Sequence, residues 1–264
     1  MGVGLYLLFL AVSFGASVVG AICGIGGGVL IKPVLDAVSG LSVAAVSFLS
    51  ACTVLSMTSC SMLRAFKKGD TLINRSVSTP LAIGAALGGI AGKEIFRVLL
   101  SGLPNSERVG AVQSCCLFFV MLGLMLYTVK RDRIRTYHLT NPFSCLLAGG
   151  ALGLMSSFLG IGGGPIDLIV LFFLFSMDMK AAAQNSLYII FFSQAASLLY
   201  TCWTGSVPDI EAGMLLLMIA GGIGGGMAGR ALNQKMDAAA VNRLFLGLMG
   251  VIMAICVYNF YQFL

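Results

Sequence analysis

Charge is the scarcest property of this sequence. Only 10% of its 264 residues are Asp, Glu, Lys or Arg, against roughly 25% in a typical soluble domain. The charges that occur are mostly basic and give a net charge of +6, an excess that short basic loops on the cytoplasmic face of a membrane explain. The composition therefore excludes an ordinary soluble domain, and it gives no reason to expect a nucleic-acid partner.

Motifs for catalysis, metal binding and nucleotide binding are also lacking. The chain has one histidine, His138, in a basic loop, and its eight cysteines show no C-x-x-C spacing. The patterns H-E-x-x-H, G-x-S-x-G and the P-loop do not occur, although zinc proteases, serine hydrolases and many ATPases depend on them. We therefore expect no metal, no cofactor and no disulfide framework. Any use of ATP would therefore require a partner chain.

Long apolar segments take the place of charge. The chain is 58% hydrophobic, with a mean hydropathy of +0.99, and about 20 apolar residues are enough to span a bilayer as a helix. This pattern predicts an all-α polytopic protein of the cell membrane. The segments are Val3–Cys23, Val29–Val38, Val43–Leu63, Pro80–Leu100 and Val109–Val129, then Phe143–Leu159, Pro165–Ser176, Ala181–Trp203, Ala212–Leu232 and Leu244–Leu264.

A glycine motif divides the chain into two halves. The sequence GIGGG at Gly24–Gly28 recurs unchanged at Gly160–Gly164, an offset of 136 residues. Consecutive glycines break a helix, and non-helical backbone at bilayer depth is tolerated only inside protein or beside a water-filled cavity. We therefore predict a first membrane repeat at 1–129, a basic cytoplasmic linker at 130–142 and a second membrane repeat at 143–264. Paired breaks of this kind predict a transport site between the repeats.

The basic residues predict how the repeats are oriented. If the short segment after each motif crosses the membrane, 12 basic residues fall in the cytoplasm and 3 outside, as the positive-inside rule requires. If the short segments instead return as re-entrant hairpins, the two sides become nearly equal. We therefore favour two inverted repeats of five segments each, with both termini outside. The short segments either extend through the glycine run or dip and return.

Polar groups near the motifs are the candidate substrate ligands. The amides of Gly27, Gly28, Gly163 and Gly164 can offer an anion the N–H donors of an exposed helix N-terminus. Side chains just downstream can complete the shell with hydroxyl and amide groups, or they can form a polar clamp between helices; they are Ser50, Gln184, Asn185 and Ser186. By contrast, Gly84, Gly88 and Gly92 recur every fourth residue, as do Gly221, Gly225 and Gly229, a spacing typical of close helix packing.

Two charged residues follow the motifs within apolar sequence. Lys32 can attract an anion and Asp167, if desolvated, can carry a coupling proton, because ionisable groups inside a membrane are usually functional. The alternative places both at the membrane edge, where a lysine extends its ammonium group to the interface. We slightly favour that alternative for Lys32. Asp36 and Asp178 are expected at loop-facing ends of their segments.

These features together resemble the TauE/SafE family, the sulfite exporter family of anion permeases. The resemblance rests on the two GIGGG motifs, on Asn185-Ser186 with Leu49-Ser50 as its counterpart, on the glycine-rich helices and on the basic central linker. It implies a secondary transporter for sulfite, sulfonates or related organosulfur or carboxylate anions, with or without a coupling proton or cation. The proline expected after the motif is Pro33 in the first half, whereas the second half has Ile169 there and Pro165 directly after the glycines.

Two functions other than transport are compatible with a bundle of membrane helices. A non-transporting membrane scaffold would keep the helices but need no ligand shell, and an intramembrane enzyme would need an ionisable catalytic group set. The sequence shows no such set. The partners expected from sequence are therefore a small anion and the lipid bilayer. Neither the oligomeric state nor the direction of transport is indicated.

Overall fold

The structure is a computed structural model that describes residues 3–68, 72–102, 106–130, 136–139 and 141–263. Its described part is helical, without strands. The ten helices are α1 (Val3–Cys23), α2 (Gly28–Val38), α3 (Val43–Lys68), α4 (Arg75–Gly102), α5 (Ser106–Lys130), α6 (Pro142–Leu159), α7 (Gly164–Phe175), α8 (Met179–Trp203), α9 (Ala212–Lys235) and α10 (Ala238–Gln262).

The all-helical membrane class is confirmed. Within the described residues, seven helices are long and apolar enough to cross a bilayer, namely α1, α3, α5, α6, α8, α9 and α10. Each predicted segment corresponds to one helix, although several helices begin earlier than the apolar sequence. Asp178 and Asp237, for example, each accept a hydrogen bond from the backbone amide three residues later, at 2.8 and 2.9 Å. These bonds cap the N-termini of α8 and α10. The basic linker falls partly outside the described residues, at 131–135 and 140.

The two glycine ladders pack helices against each other, as predicted. A side chain at Gly84, Gly88 or Gly92 of α4 would collide with the backbone of α6. On the other side of the molecule, a side chain at Gly225 or Gly229 of α9 would collide with the backbone of α1. Small residues of this kind let two membrane helices approach closely. Each half therefore packs much of its surface against the other half.

The directions of the helices follow from these contacts. Gly84 and Gly92 lie against Leu146 and Leu154, so α4 and α6 run parallel. By the same criterion α9 runs parallel to α1 and to α3, whereas α3 and α8 run antiparallel. Helices at corresponding places in the two halves thus run in opposite directions, which supports inverted repeats.

Both glycine motifs interrupt their helices. Gly24, Gly26 and Gly27 have φ between 48° and 75°, and Gly160, Gly162 and Gly163 have φ between 69° and 91°. Only glycine adopts this left-handed region readily. The same sequence of left-handed residues in both halves ends one helix and starts the next. Because α1 and α3 run parallel, α2 returns the chain to the end of the molecule where α1 begins, which supports the crossing topology.

Candidate functional site

The two glycine motifs meet at the centre of the molecule, backbone against backbone. A Cβ atom at Gly28 would lie 2.5 Å from the carbonyl oxygen of Ile161, and one at Gly164 would collide with the carbonyl oxygen of Ile25. The contact is reciprocal, as a two-fold relation between the halves requires. All four residues are buried. In this conformation, therefore, Gly28 and Gly164 face the opposite motif and not an open space.

The motif glycines start two short helices that point away from this contact. The Gly27 carbonyl accepts hydrogen bonds from Leu30 and Ile31 at 3.0 Å, and the Gly163 carbonyl accepts them from Ile166 and Asp167 at 2.9 and 3.3 Å. The N-terminal ends of α2 and α7 therefore lie in the middle of the protein. Each end carries partial positive charge from the helix dipole. This charge makes the central region attractive to an anion.

The second motif is the more polar of the two. A side chain at Gly163 would lie 2.9 Å from the Asp167 carboxylate and 2.9 Å from the Ser156 hydroxyl. Asp167 occupies the first turn of α7, where the helix dipole stabilises an acidic group. It is 2% exposed, so it is enclosed by protein on all sides. The Ser186 hydroxyl lies near this carboxylate but does not form a hydrogen bond of good geometry.

Lys32 and Asp36 form a buried ion pair on α2. The Lys32 ammonium lies 2.7 Å from the Asp36 carboxylate, and the two side chains are 3% and 5% exposed. Lys32 is therefore paired inside the protein and does not extend its ammonium group into solvent. Asp36 lies in the last turn of α2, with its side chain turned inward. The aliphatic part of Lys32 lies against Gly160, 3.1 Å from a Cβ atom placed there. Asp178 is at a helix end, as expected, and caps α8.

The four predicted polar ligands have different surroundings. Asn185 accepts hydrogen bonds from the Asn74 amide at 2.9 Å and the Ser78 hydroxyl at 2.5 Å, and donates to Leu72 and Ala181. Gln184 accepts from the Leu72 amide at 3.0 Å. These bonds form a polar clamp that holds α8 against residues 72–78. Ser50 and Ser186 are fully buried with unpartnered hydroxyls, so both groups are available to a ligand.

A cavity of about 600 Å³ opens toward the first motif. We call it the basic cavity, and it is lined by Ala21, Ser61, Leu72, Lys180, Ala183, Gln184, Leu187, Arg230, Asn233 and Gln234. Its two charged residues, Lys180 and Arg230, are cationic. Its floor is close to the motif, because Ala183 packs against Gly24. Arg230 also donates a hydrogen bond to the Ser61 carbonyl, which fixes its position in the wall.

A second, smaller cavity lies at the opposite end of the same helices. We call it the narrow cavity; it has a volume of about 80 Å³ and is lined by Ala44, Phe48, Lys93, Phe96, Arg97, Tyr200, Thr201, Thr204, Ser206 and Pro208. No cluster of three or more His, Cys, Asp or Glu that could hold a metal ion occurs within the described residues.

Several of these residues escaped the sequence analysis. From the sequence, Lys180 and Arg230 are only markers of the cytoplasmic side, although in the structure they line the basic cavity. The ion pair of Lys32 with Asp36 has the i, i+4 spacing that brings side chains together on a helix, and this spacing was the available signal. The proximity of Ser156 to Asp167 had none, since they lie on different helices.

Comparison with known proteins identifies the family of this chain. The model of the family described as "Sulfite exporter TauE/SafE" matches residues 9–256. The chain belongs to the TauE/SafE family. It is also 25% identical to the "Probable membrane transporter protein YunE" of Bacillus subtilis (strain 168), over 89% of this chain and 91% of that protein. No solved structure matches it.

Membership of the TauE/SafE family settles the class of function. The matched region spans nearly all of the helices, from α1 to α10. The chain is therefore a multi-pass membrane transporter, and it is not an enzyme. The intramembrane enzyme and the scaffold, which the sequence alone had left as alternatives, are set aside on this ground. The prediction of the family from GIGGG and its surroundings is confirmed.

Proposed function

We propose that this TauE/SafE protein is a secondary transporter that carries small oxyanions, such as sulfite, sulfonates or small carboxylates, through the centre of the two repeats. The observation that carries the proposal is the basic cavity, which combines a volume of about 600 Å³ with Lys180 and Arg230 in its wall. Its cations attract anions, and its amide groups offer the hydrogen bonds by which an oxyanion differs from a halide.

The route from this cavity leads to the meeting point of the motifs. Ala183 forms part of the cavity wall and contacts Gly24. Beyond it lie buried hydroxyls without partners, among them Ser50, Ser156 and Ser186. A buried hydroxyl without a partner is costly, and a bound oxyanion would satisfy several of these groups at once. Amides of Gly27, Gly28, Gly163 and Gly164 join this shell when the motifs separate.

Asp167 gives this site a means of coupling to protons. The Asp167 carboxylate lies 2.9 Å from the position that a Cβ atom at Gly163 would occupy. An anion bound at Gly163 would therefore lie next to this carboxylate. Two negative charges at that separation repel each other strongly in a buried site. Binding of the anion at this motif is therefore favoured when Asp167 carries a proton. In this mechanism the anion and one proton cross together. The charge of the buried Lys32 is offset by its ion pair with Asp36.

Uptake of labelled anions into proteoliposomes tests the proposal. The panel contains sulfite, a sulfonate and small carboxylates, each with and without an imposed pH gradient. Replacing Arg230 with Gln should raise the anion concentration for half-maximal uptake about tenfold, since a charge-assisted hydrogen bond contributes about 1.5 kcal/mol or more. Arg230→Lys, which retains the charge, should lose less.

A matched control lies five residues further along the same helix. Lys235 is exposed at the end of α9 and does not line the cavity, so Lys235→Gln should leave uptake unchanged. Equal losses from Arg230→Gln and Lys235→Gln would show that the cavity does not bind the anion. A complete absence of saturable flux for all anions in the panel would overturn the substrate class.

A further inference from the structure

The narrow cavity corresponds to the basic cavity position by position. Six lining positions of one cavity correspond to six of the other at the offset of the repeat. This offset is 136 residues for positions that precede the glycine ladders and 137 residues for positions within or after them. The pairs are Leu72 with Pro208, Lys180 with Ala44, Gln184 with Phe48, Arg230 with Lys93, Asn233 with Phe96 and Gln234 with Arg97. The cavities lie at opposite ends of α8, since one includes Lys180 and the other Thr204.

Although their positions correspond, the narrow cavity is smaller than the basic cavity because aromatic rings occupy part of it. Phe48 and Phe96 stand where the basic cavity has Gln184 and Asn233, and they are 7% and 6% exposed. Lys93, the counterpart of Arg230, lies over the Phe96 ring, 6.0 Å from its centre. The narrow cavity thus retains a cation at the corresponding place. Its opening is filled by the two rings.

A hydrogen bond joins α4 to α8 beside these rings, and an ion pair within α4 holds its acceptor. The Tyr200 hydroxyl donates to the Glu94 carboxylate at 2.7 Å. Glu94 in turn forms an ion pair with Arg97, with distances of 2.5 and 3.1 Å. Tyr200 and Arg97 both line the narrow cavity. The counterpart of Glu94 in the second half is Ala231, so the basic cavity lacks an equivalent carboxylate at that place.

We propose that the narrow cavity is the second access site for the transported anion, closed in this structure, and that Glu94, Arg97 and Tyr200 form the latch that keeps it closed. The inference rests on the proposed function, and it adds where the anion leaves the protein. In the alternate state the rings of Phe48 and Phe96 separate and expose Lys93, while the walls around Arg230 approach each other. The anion therefore meets a cation at a corresponding position at each end, Arg230 at one and Lys93 at the other.

Cysteine accessibility tests this exchange without any substrate. In a background without native cysteines, Thr201→Cys reports on the narrow cavity and Ser61→Cys on the basic cavity. Tyr200→Phe removes the latch hydroxyl but keeps the ring. It should raise the maleimide labelling rate of Thr201→Cys relative to that of Ser61→Cys by about two- to fivefold, because the loss of one partly exposed hydrogen bond changes the ratio of the two states by that factor. Glu94→Gln should act in the same direction.

The chain supplies a matched control for the latch. The Tyr6 hydroxyl donates a hydrogen bond to Glu211 at the same end of the molecule, but neither residue lines the narrow cavity. Tyr6→Phe should therefore change neither labelling rate. Increased labelling of Thr201→Cys without a matching decrease at Ser61→Cys would mean only local loosening and would overturn the proposal. Unchanged rates in Tyr200→Phe and Glu94→Gln would overturn it as well.

The labelling and the uptake measurements fail independently. Reciprocal labelling changes in a protein that carries none of the anions would keep the latch and refute the anion assignment. Anion uptake with Arg230-dependent affinity, but without reciprocal labelling, would keep the proposed function and refute the latch. In the first case the two cavities still exchange access, and a different solute must be sought.

Discussion

Asn185 and Ser186 are neighbours on α8, but their hydrogen-bonding states are opposite. Both side chains are fully buried. Asn185 uses its carbonyl and its NH₂ group to hold the chain at Leu72, Asn74 and Ser78 against α8. The Ser186 hydroxyl lies near the Asp167 carboxylate but makes no hydrogen bond of good geometry. Asn185 therefore holds the fold together, whereas Ser186 can bind a ligand.

Replacing these two residues in turn tests the distinction. Asn185→Ala should destabilise the protein by roughly 2 to 4 kcal/mol, because it leaves several buried donors and acceptors without partners. Ser186→Ala should leave stability unchanged or slightly higher, because it removes a buried hydroxyl that is already unpaired. Its expected effect is weaker anion binding. Thermal unfolding in detergent and anion uptake in liposomes measure the two effects.

The contrary outcome for this pair is equally clear. If Ser186→Ala lowers the melting temperature as much as Asn185→Ala and leaves uptake unchanged, Ser186 is part of the packing and not of the site. A similar comparison applies to Ser50, its counterpart in the first half, whose hydroxyl is also unpartnered.

At the scale of the helices, sequence reasoning succeeds where a pattern repeats. The breaks at GIGGG follow from the conformational freedom of consecutive glycines, and the packing of α4 on α6 follows from glycines at every fourth position. The helix ends were less accurate, because a search for apolar residues ignores polar caps such as Asp237. Similarly, Lys32 appeared isolated in the sequence, whereas its partner Asp36 lies one helical turn away.

Two adjacent glycines on α6 allow a strict test of the packing. A Cβ atom at Gly149 would collide with the carbonyl of Leu81, whereas one at Gly150 would meet only the Gly84 carbonyl, at 3.9 Å. Gly149→Ala should therefore destabilise the protein by about 1 to 3 kcal/mol through overpacking. Gly150→Ala should be neutral or stabilise it by about 0.5 to 1 kcal/mol, because alanine loses less conformational entropy in a helix than glycine.

Thermal unfolding of the two variants provides the comparison. Both receive the same methyl group on the same helix, so only the distance to α4 differs. Equal melting temperatures for Gly149→Ala and Gly150→Ala would mean that α4 and α6 are not in the close contact that the structure shows.

At the scale of the whole molecule, the halves share one plan but differ in chemistry. The sequence predicted the shared plan, because the motif repeats at a fixed offset and most basic residues are expected on one side of the membrane. It did not predict that the second half supplies Ser156 and Asp167 around its motif while the first supplies the ion pair of Lys32 with Asp36. Those arrangements depend on contacts between helices that are distant in sequence.

The orientation in the membrane is the last prediction, and α9 is the helix on which to test it. It runs from Ala212 to Lys235, about 36 Å at 1.5 Å per residue, so Ser206 and Lys235 lie beyond opposite ends of a membrane span. Since most basic residues are expected in the cytoplasm, Ser206→Cys should react with an impermeant maleimide in intact cells. Lys235→Cys should react only after the cells are permeabilised.

The result also decides which way the open cavity faces. Lys235 is one residue beyond Gln234 of the basic cavity, and Ser206 lines the narrow cavity. Labelling at position 206 from outside would place the basic cavity on the cytoplasmic side, so that this structure represents an inward-facing state. Labelling at position 235 instead would invert the topology. The latch at Glu94, Arg97 and Tyr200 would then close the cytoplasmic end, and both termini would lie in the cytoplasm.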